Sequence, residues 1–183
     1  MIRRWLIGMS FVLVAGMASA GADEEHDRDG QQHALASFLK SRGLHKRDIY
    51  FERALTLYGK ENARLLLASG ETAQYLAALS EEGSYVYITM PWRERGDLRD
   101  TRIVDLAGDG RQALVIRYRE HGSNGDTREV LGVWRLPSES HIRRVFTADV
   151  DQSVRFIRRG RANDLRIGSA LYQFSGDQYR RLQ

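Results

Sequence analysis

The chain has 183 residues, no cysteine, 28% charged residues and a formal net charge of +4. Without cysteine there can be no disulfides, so ordinary apolar packing must stabilise the fold. The length suits a single domain that is large enough to bury such a core.

The first twenty residues have the order of a secretory signal peptide. Arg3 and Arg4 precede an uncharged apolar run that ends at Met17, and residues 18–20 form an A-x-A cleavage site. The run is shorter than the roughly 20 apolar residues that cross a bilayer, and a polar, acidic stretch follows it. We therefore expect an exported protein, periplasmic or secreted, with residues 21–183 as the mature chain. Loss of the two arginines lowers the net charge from +4 to +2.

Residues 21–31 form an acidic leader that we expect to be disordered, because it is strongly charged and poor in apolar residues. The remaining residues, 32–183, are then one globular domain. Its first segment, QQHALASFLKSRG, predicts a short amphipathic helix over 32–42 that ends before Gly43. The apolar residues of this segment recur at helical spacing: Ala34, Leu35, Phe38 and Leu39.

Residues 49–79 carry conflicting signals. The segments ARLLLASG and TAQYLAALS are rich in alanine and leucine, which favours helix. Each segment is short, however, and Gly59, Gly70 and Gly83 punctuate the region, which favours strands. We predict strands here and keep helices as the alternative.

From Ser84 onward short strand-like segments recur every 8–12 residues, with turn clusters such as GSNGD between them. The segments are SYVYITM, TRIVDL, ALVIRYR, EVLGVWRL, IRRVF, SVRFIRR, LRIG, ALYQF and YRRL. Apolar residues alternate with arginine in several of them, which indicates a sheet with one face in water. The predicted fold is mainly β (α+β), a short N-terminal helix followed by a twisted antiparallel β-meander sheet.

The segment IVDLAGDGRQALVI, residues 103–116, resembles the DLDGDGxxDLVV hairpin of FG-GAP and VCBS-type repeats, the units of integrin-like β-propellers. In that family the loop binds calcium, whose oxygen ligands come from alternate carboxylates. Asp105 and Asp109 match two ligand positions and Gly110 matches the turn glycine, but Ala107 stands where a third carboxylate is expected. Because the loop is degenerate, we predict no metal here and a hairpin turn in which Asp105 accepts backbone N–H groups.

The sequence SGDQY near the C-terminus resembles the S-G-x-x-Y loop of periplasmic lysozyme-inhibitor families. In those families the loop enters the lysozyme cleft, where its serine and tyrosine address the catalytic carboxylates. The resemblance implies an inhibitor role for Ser175, Gly176 and Tyr179. The alternative is a hairpin turn in which Gly176 supplies a positive φ and Tyr179 packs on the sheet.

The densest charged segment is PWRERGDLRDTR, residues 91–102. An exposed tryptophan among arginines could grip a sugar or an anionic ligand. The alternative is that the charges pair with one another and the tryptophan caps the core. The candidate binding residues are Trp92, Arg93, Arg95, Arg99 and Arg102.

The sequence carries no recognisable catalytic frame. Its five histidines lie outside the G-x-S-x-G and H-E-x-x-H patterns, and no cofactor-binding motif is found. A near-neutral exported chain is a poor candidate for nucleic-acid binding. We predict a non-catalytic binding or interaction module of the bacterial cell envelope, with an envelope component or a secreted protein as partner and no cofactor. Two alternatives are an inhibitor of a secreted hydrolase and an enzyme of unassigned class that uses Asp105 and Asp109.

Overall fold

The computed structural model describes residues 18–57, 61–138, 141–176 and 178–182. In this part of the chain a helix, α1 (Ala18–Arg42), precedes twelve strands. The predicted mainly β fold is therefore confirmed, and within residues 49–79 the described segments 49–57, 61–69 and 74–79 are strands, as predicted.

The strands form three four-stranded antiparallel sheets, and each sheet is a meander of consecutive strands. The first sheet comprises β1 (Ile49–Leu57), β2 (Glu61–Ser69), β3 (Gln74–Leu79) and β4 (Tyr85–Thr89). The middle sheet comprises β5 (Leu98–Asp105), β6 (Gln112–His121), β7 (Thr127–Ser138) and β8 (His141–Asp149). The third sheet comprises β9 (Val154–Arg159), β10 (Ala162–Ile167), β11 (Ala170–Ser175) and β12 (Gln178–Arg181). The predicted single meander is thus divided into three.

The helix is longer than predicted. It begins at Ala18, so the acidic leader at 21–31, which we expected to be disordered, continues the helix. Alanine and glutamate are strong helix formers, and Gly30 lets the helix approach the turn after β3, where a Cβ would collide with the carbonyl oxygen of Glu81. Residues 1–17 of the predicted signal peptide lie outside the described residues.

Three apolar clusters hold the layers in the order helix, first sheet, middle sheet, third sheet. The strand β6 shows how one strand serves two of them. Leu114 and Ile116 pack toward the first sheet, whereas Ala113 and Val115 pack toward the third. The prediction of one wet face is therefore wrong for the middle sheet, and it holds for the third sheet, whose outer face carries arginine.

Burial on both faces explains the ambiguity of residues 49–79. On β2, Leu65 and Leu67 face the middle sheet while Leu66 and Ala68 face α1. A strand covered on both sides has no polar alternation, so its sequence is a continuous apolar run. No helix in the described part of the chain has both the length and the apolar character that crossing a bilayer requires.

Gly132 is fixed by the indole of Trp134, which lies over its Cα where a Cβ would collide with the ring. Because Trp134 is buried and its surroundings are packed, we expect Gly132→Ala to lower the free energy of unfolding by about 2 kcal/mol. Urea denaturation would measure the loss. Gly96→Ala is the matched control, because its Cβ would meet nothing nearer than 3.9 Å. Equal stability of the two variants would contradict this account.

Candidate functional site

Trp92, the aromatic residue of the predicted binding segment, lies in the core between the first and middle sheets. Its side chain is 2% exposed, and its ring centroid lies 5.1 Å from that of Tyr118. The indole Nε1 donates a hydrogen bond to the Tyr50 hydroxyl at 3.3 Å. Trp92 therefore belongs to the core, as the second interpretation of the segment expected, and it has no exposed face on which a ligand could stack.

The four arginines of the segment are all exposed, but they do not form one patch. Arg95 lies over the ring of Tyr50, 5.4 Å from its centroid, beside the first sheet. Arg102 pairs with Asp100 at 2.7 Å and sits opposite Val115, on the face of the middle sheet that is turned toward the third sheet. Arg93 precedes the short turn that carries Arg95, and Arg99 lies at the point where the β5 register shifts.

Asp97, whose side chain is 1% exposed, holds the turn that carries Arg95 in place. One carboxylate oxygen accepts the N–H groups of Arg93 and Glu94 at 3.3 and 3.2 Å. The other oxygen lies 2.7 Å from Nε2 of His121 at the end of β6. Asp97 therefore closes the turn and also fastens it to the middle sheet.

The environment of Asp97 favours its ionised form. Burial alone would raise the pKa of this carboxyl group, but the hydrogen bond with His121, the N–H of Glu94, the charge of His121 and the N–H of Arg93 together outweigh burial. The pKa of Asp97 consequently lies below its ordinary value. This pair could not be predicted from the sequence, because Asp97 and His121 are 24 residues apart.

Tyr50 also borders a groove of about 550 Å³ between α1 and β1. This volume is within the range of small-ligand sites. Its polar and aromatic lining residues are Gln32, Lys46, Tyr50, Phe51, Glu52, Arg53 and Arg64.

The charges of this groove are unbalanced. Glu52 is already paired with Arg64, so it neutralises that arginine and leaves Lys46 and Arg53 as the cations of the lining. Arg95 lies outside this lining and places a further positive charge over the ring of Tyr50, which is part of it. Burial raises the pKa of Tyr50 to about 12, although the Trp92 hydrogen bond and the charge of Arg95 act in the opposite direction. The phenol is thus neutral at physiological pH, and the groove as a whole is cationic.

The loop between β5 and β6 is a hairpin turn in which Asp105 accepts backbone N–H groups, as predicted. Its two carboxylate oxygens accept from Gly108 at 2.7 Å and from Gly110 at 2.9 Å, and both glycines have a positive φ. Asp109 accepts the N–H of Arg111 at 3.0 Å and lies 3.7 Å from a guanidinium nitrogen of Arg135. The described residues contain no group of three or more His, Asp or Glu side chains that could hold a metal ion.

We expect millimolar calcium to leave the melting temperature unchanged, because both oxygens of Asp105 are already used by the turn. Asp105→Ala removes these two bonds and should lower the free energy of unfolding by about 2 kcal/mol, with calcium or with a chelator. Asp151→Ala, which removes an exposed carboxylate in the turn between β8 and β9, is the control with a small expected effect. A calcium-dependent rise in melting temperature that Asp105→Ala abolishes would show that the loop binds the metal.

The Ser175 loop joins β11 to β12 as a hairpin, and Gly176 has a φ of 64°. Tyr179 is buried against Phe174 and Phe146, and its hydroxyl donates to the carbonyl of Asn163 at 2.8 Å. Burial raises the pKa of this phenol, and the charge of Asp164 raises it further. Gly176 therefore provides the positive φ of a hairpin turn and Tyr179 packs on the sheet, as the second interpretation expected. Ser175 is exposed.

Comparison of the chain with protein-family models, with curated proteins and with solved structures finds no match. The structure itself defines a mainly β protein in which three consecutive four-stranded meanders stack beneath one helix.

Proposed function

We propose that this chain is an exported, non-catalytic binding module of the bacterial cell envelope that takes an anionic ligand in the groove beside Tyr50. The observation that carries the proposal is that Arg95 lies over the ring of Tyr50, a residue that also lines a cationic groove. The signal-peptide pattern of residues 1–20 supports export.

Preorganisation is the physical basis of this site. A guanidinium that rests on an aromatic face keeps its N–H edge free for a carboxylate or a phosphate. Because Asp97 pins the turn that carries Arg95, little conformational entropy remains to be lost when a ligand binds. Lys46 and Arg53 would then contact further negative groups of the same ligand.

The proposal of a binding module without catalysis is supported by what the buried acids and the acid of the groove bind. The buried carboxylate of Asp97 holds a turn, and that of Asp164 is bound by Arg159 and by the N–H of Phe174. Neither is directed into the groove, whose one acid, Glu52, is paired with Arg64. A general acid or base would have to reach the bound substrate.

We also propose a relationship to FG-GAP-type repeats. Propeller blades are four-stranded sheets, and each sheet here is a four-stranded antiparallel meander. The β5–β6 hairpin, which carries the resemblance, comprises the first two strands of the middle sheet. In this chain the acidic loop stabilises the turn itself.

Calorimetric titration with the phosphorylated core oligosaccharide of lipopolysaccharide tests the function. We expect binding that weakens about tenfold in Arg95→Ala, because a charge-assisted contact is lost. Arg119→Ala removes an exposed arginine on β6 and should bind like the unchanged protein. Equal affinity of the two variants, or no binding at all, would contradict the proposal. Turnover of the oligosaccharide that is lost in His121→Ala would instead make the chain an enzyme.

A further inference from the structure

The outer face of the third sheet is covered by no described element. The inner face packs on the middle sheet through Phe156, Leu165, Tyr172 and Phe174. The first sheet, at the other end of the stack, has its outer face covered by α1. The side chains that alternate with the inner set therefore point away from the protein.

Arginines and aliphatic side chains share this outer face, which we call the arginine face. Its members follow from the strand register: Arg155, Ile157, Arg159, Arg166, Leu171, Arg180 and Leu182. Ile157 and Leu182 are 37% and 43% exposed, and they are the exposed large hydrophobic residues of the described chain. Both therefore occur on the one sheet face that nothing described covers.

Most arginines of the arginine face have no ion pair with an acid of the described residues. Arg155 and Arg166 are direct cross-strand partners, and like charges in that position destabilise a sheet. The one acid on this face among the described residues, Asp164, is 4% exposed and is held by Arg159 at 2.8 Å. Among the described residues, no ion pair joins Arg155, Arg166 or Arg180 to an acid.

We propose that the arginine face docks on the surface of an anionic lipid bilayer. Guanidinium groups bind the phosphates of lipid headgroups, and the interleaved aliphatic side chains reach toward the acyl boundary. The inference goes beyond the proposed groove function and does not depend on it.

The composition of the face disfavours other partners. A platform for sugars or nucleotide bases needs exposed aromatic rings, and the third sheet turns Phe156, Tyr172, Phe174 and Tyr179 inward. A second copy of the chain would place arginine against arginine. An acidic protein could pair with the charges of the arginines. Exposed Ile157 and Leu182 fit a lipid surface better than an acidic protein.

Cosedimentation of the full chain with vesicles tests the proposal. We expect binding to vesicles of phosphatidylethanolamine and phosphatidylglycerol, and none to vesicles of phosphatidylcholine alone. Each arginine near an anionic surface contributes about a fivefold change in partitioning, so Arg155→Gln with Arg166→Gln should weaken binding about 25-fold. Arg119→Gln is the control that should bind like the unchanged protein. Circular dichroism confirms that these surface variants fold.

Two further results would overturn the docking proposal. The first is absence of binding to the phosphatidylglycerol vesicles, or binding that the double arginine variant retains. The second is equally tight binding to soluble polyglutamate that Ile157→Ser with Leu182→Ser leaves unchanged, which would indicate an acidic protein as the partner. Vesicle binding that is weakened by the Ile157 and Leu182 changes supports the lipid surface.

Discussion

Replacing Trp92 with alanine should lower the free energy of unfolding by about 4 kcal/mol. The side chain is 2% exposed and packs between two sheets against Tyr118. Its removal leaves a cavity that the facing strands cannot close, and it also leaves the Tyr50 hydroxyl without its donor. Chemical denaturation, followed by far-ultraviolet circular dichroism, measures the change.

Two companion variants sharpen this result. Trp92→Phe keeps most of the apolar volume and should lose less than Trp92→Ala. Arg93→Ala, one residue away and exposed, should stay within about 0.5 kcal/mol of the unchanged protein. If Trp92→Ala were as stable as Arg93→Ala, the indole would not be part of the core.

Replacing Asp97 with alanine should lower the free energy of unfolding by about 3 kcal/mol. The change leaves two backbone N–H groups without their acceptor and removes the hydrogen-bond partner of His121. The turn that carries Arg95 would lose its anchor, so binding in the groove should weaken as well.

The stability provided by the Asp97 charge should depend on pH. The pKa of Asp97 is lowered in the folded protein, whereas the unfolded value is about 3.9. A lowered folded pKa means that this stability is fully present above the unfolded pKa and is lost as the pH falls through the folded pKa. The difference between the unchanged protein and Asp97→Asn should therefore shrink below about pH 4.

A control for the pH experiment is Asp100→Asn, because Asp100 forms an exposed pair with Arg102. Exposed pairs contribute at most about 1 kcal/mol, so this variant should differ little from the unchanged protein at any pH. A difference between Asp97→Asn and the unchanged protein that stayed constant from neutral pH to pH 3 would show that the carboxylate charge does not contribute.

Much of the fold could be predicted from the sequence, because turn residues and short apolar segments are local signals. Every strand-like segment from Ser84 onward corresponds to a strand. The division into three sheets could not be predicted, because alternation shows which residues share a face and does not show what covers that face. The helical leader was missed because its charge was taken as a sign of disorder, whereas the approach of Gly30 to Glu81 is a tertiary contact.

Less of the candidate site could be predicted. The sequence located the arginines of residues 91–102, and it left the place of Trp92 open between the surface and the core. It could not show that Arg95, on a short turn, meets Tyr50, which lies on β1 45 residues earlier. Contacts of this kind depend on how the layers stack, and the groove and the arginine face both arise from that stacking.

The order of the strands has a consequence for how the protein is made. Each strand pairs with its neighbours in sequence, and each sheet is finished before the chain begins the next. The loops that must close are therefore short, which favours fast folding for a β protein. A chain that emerges N-terminus first can assemble layer upon layer, with every completed sheet offering an apolar template to the one that follows.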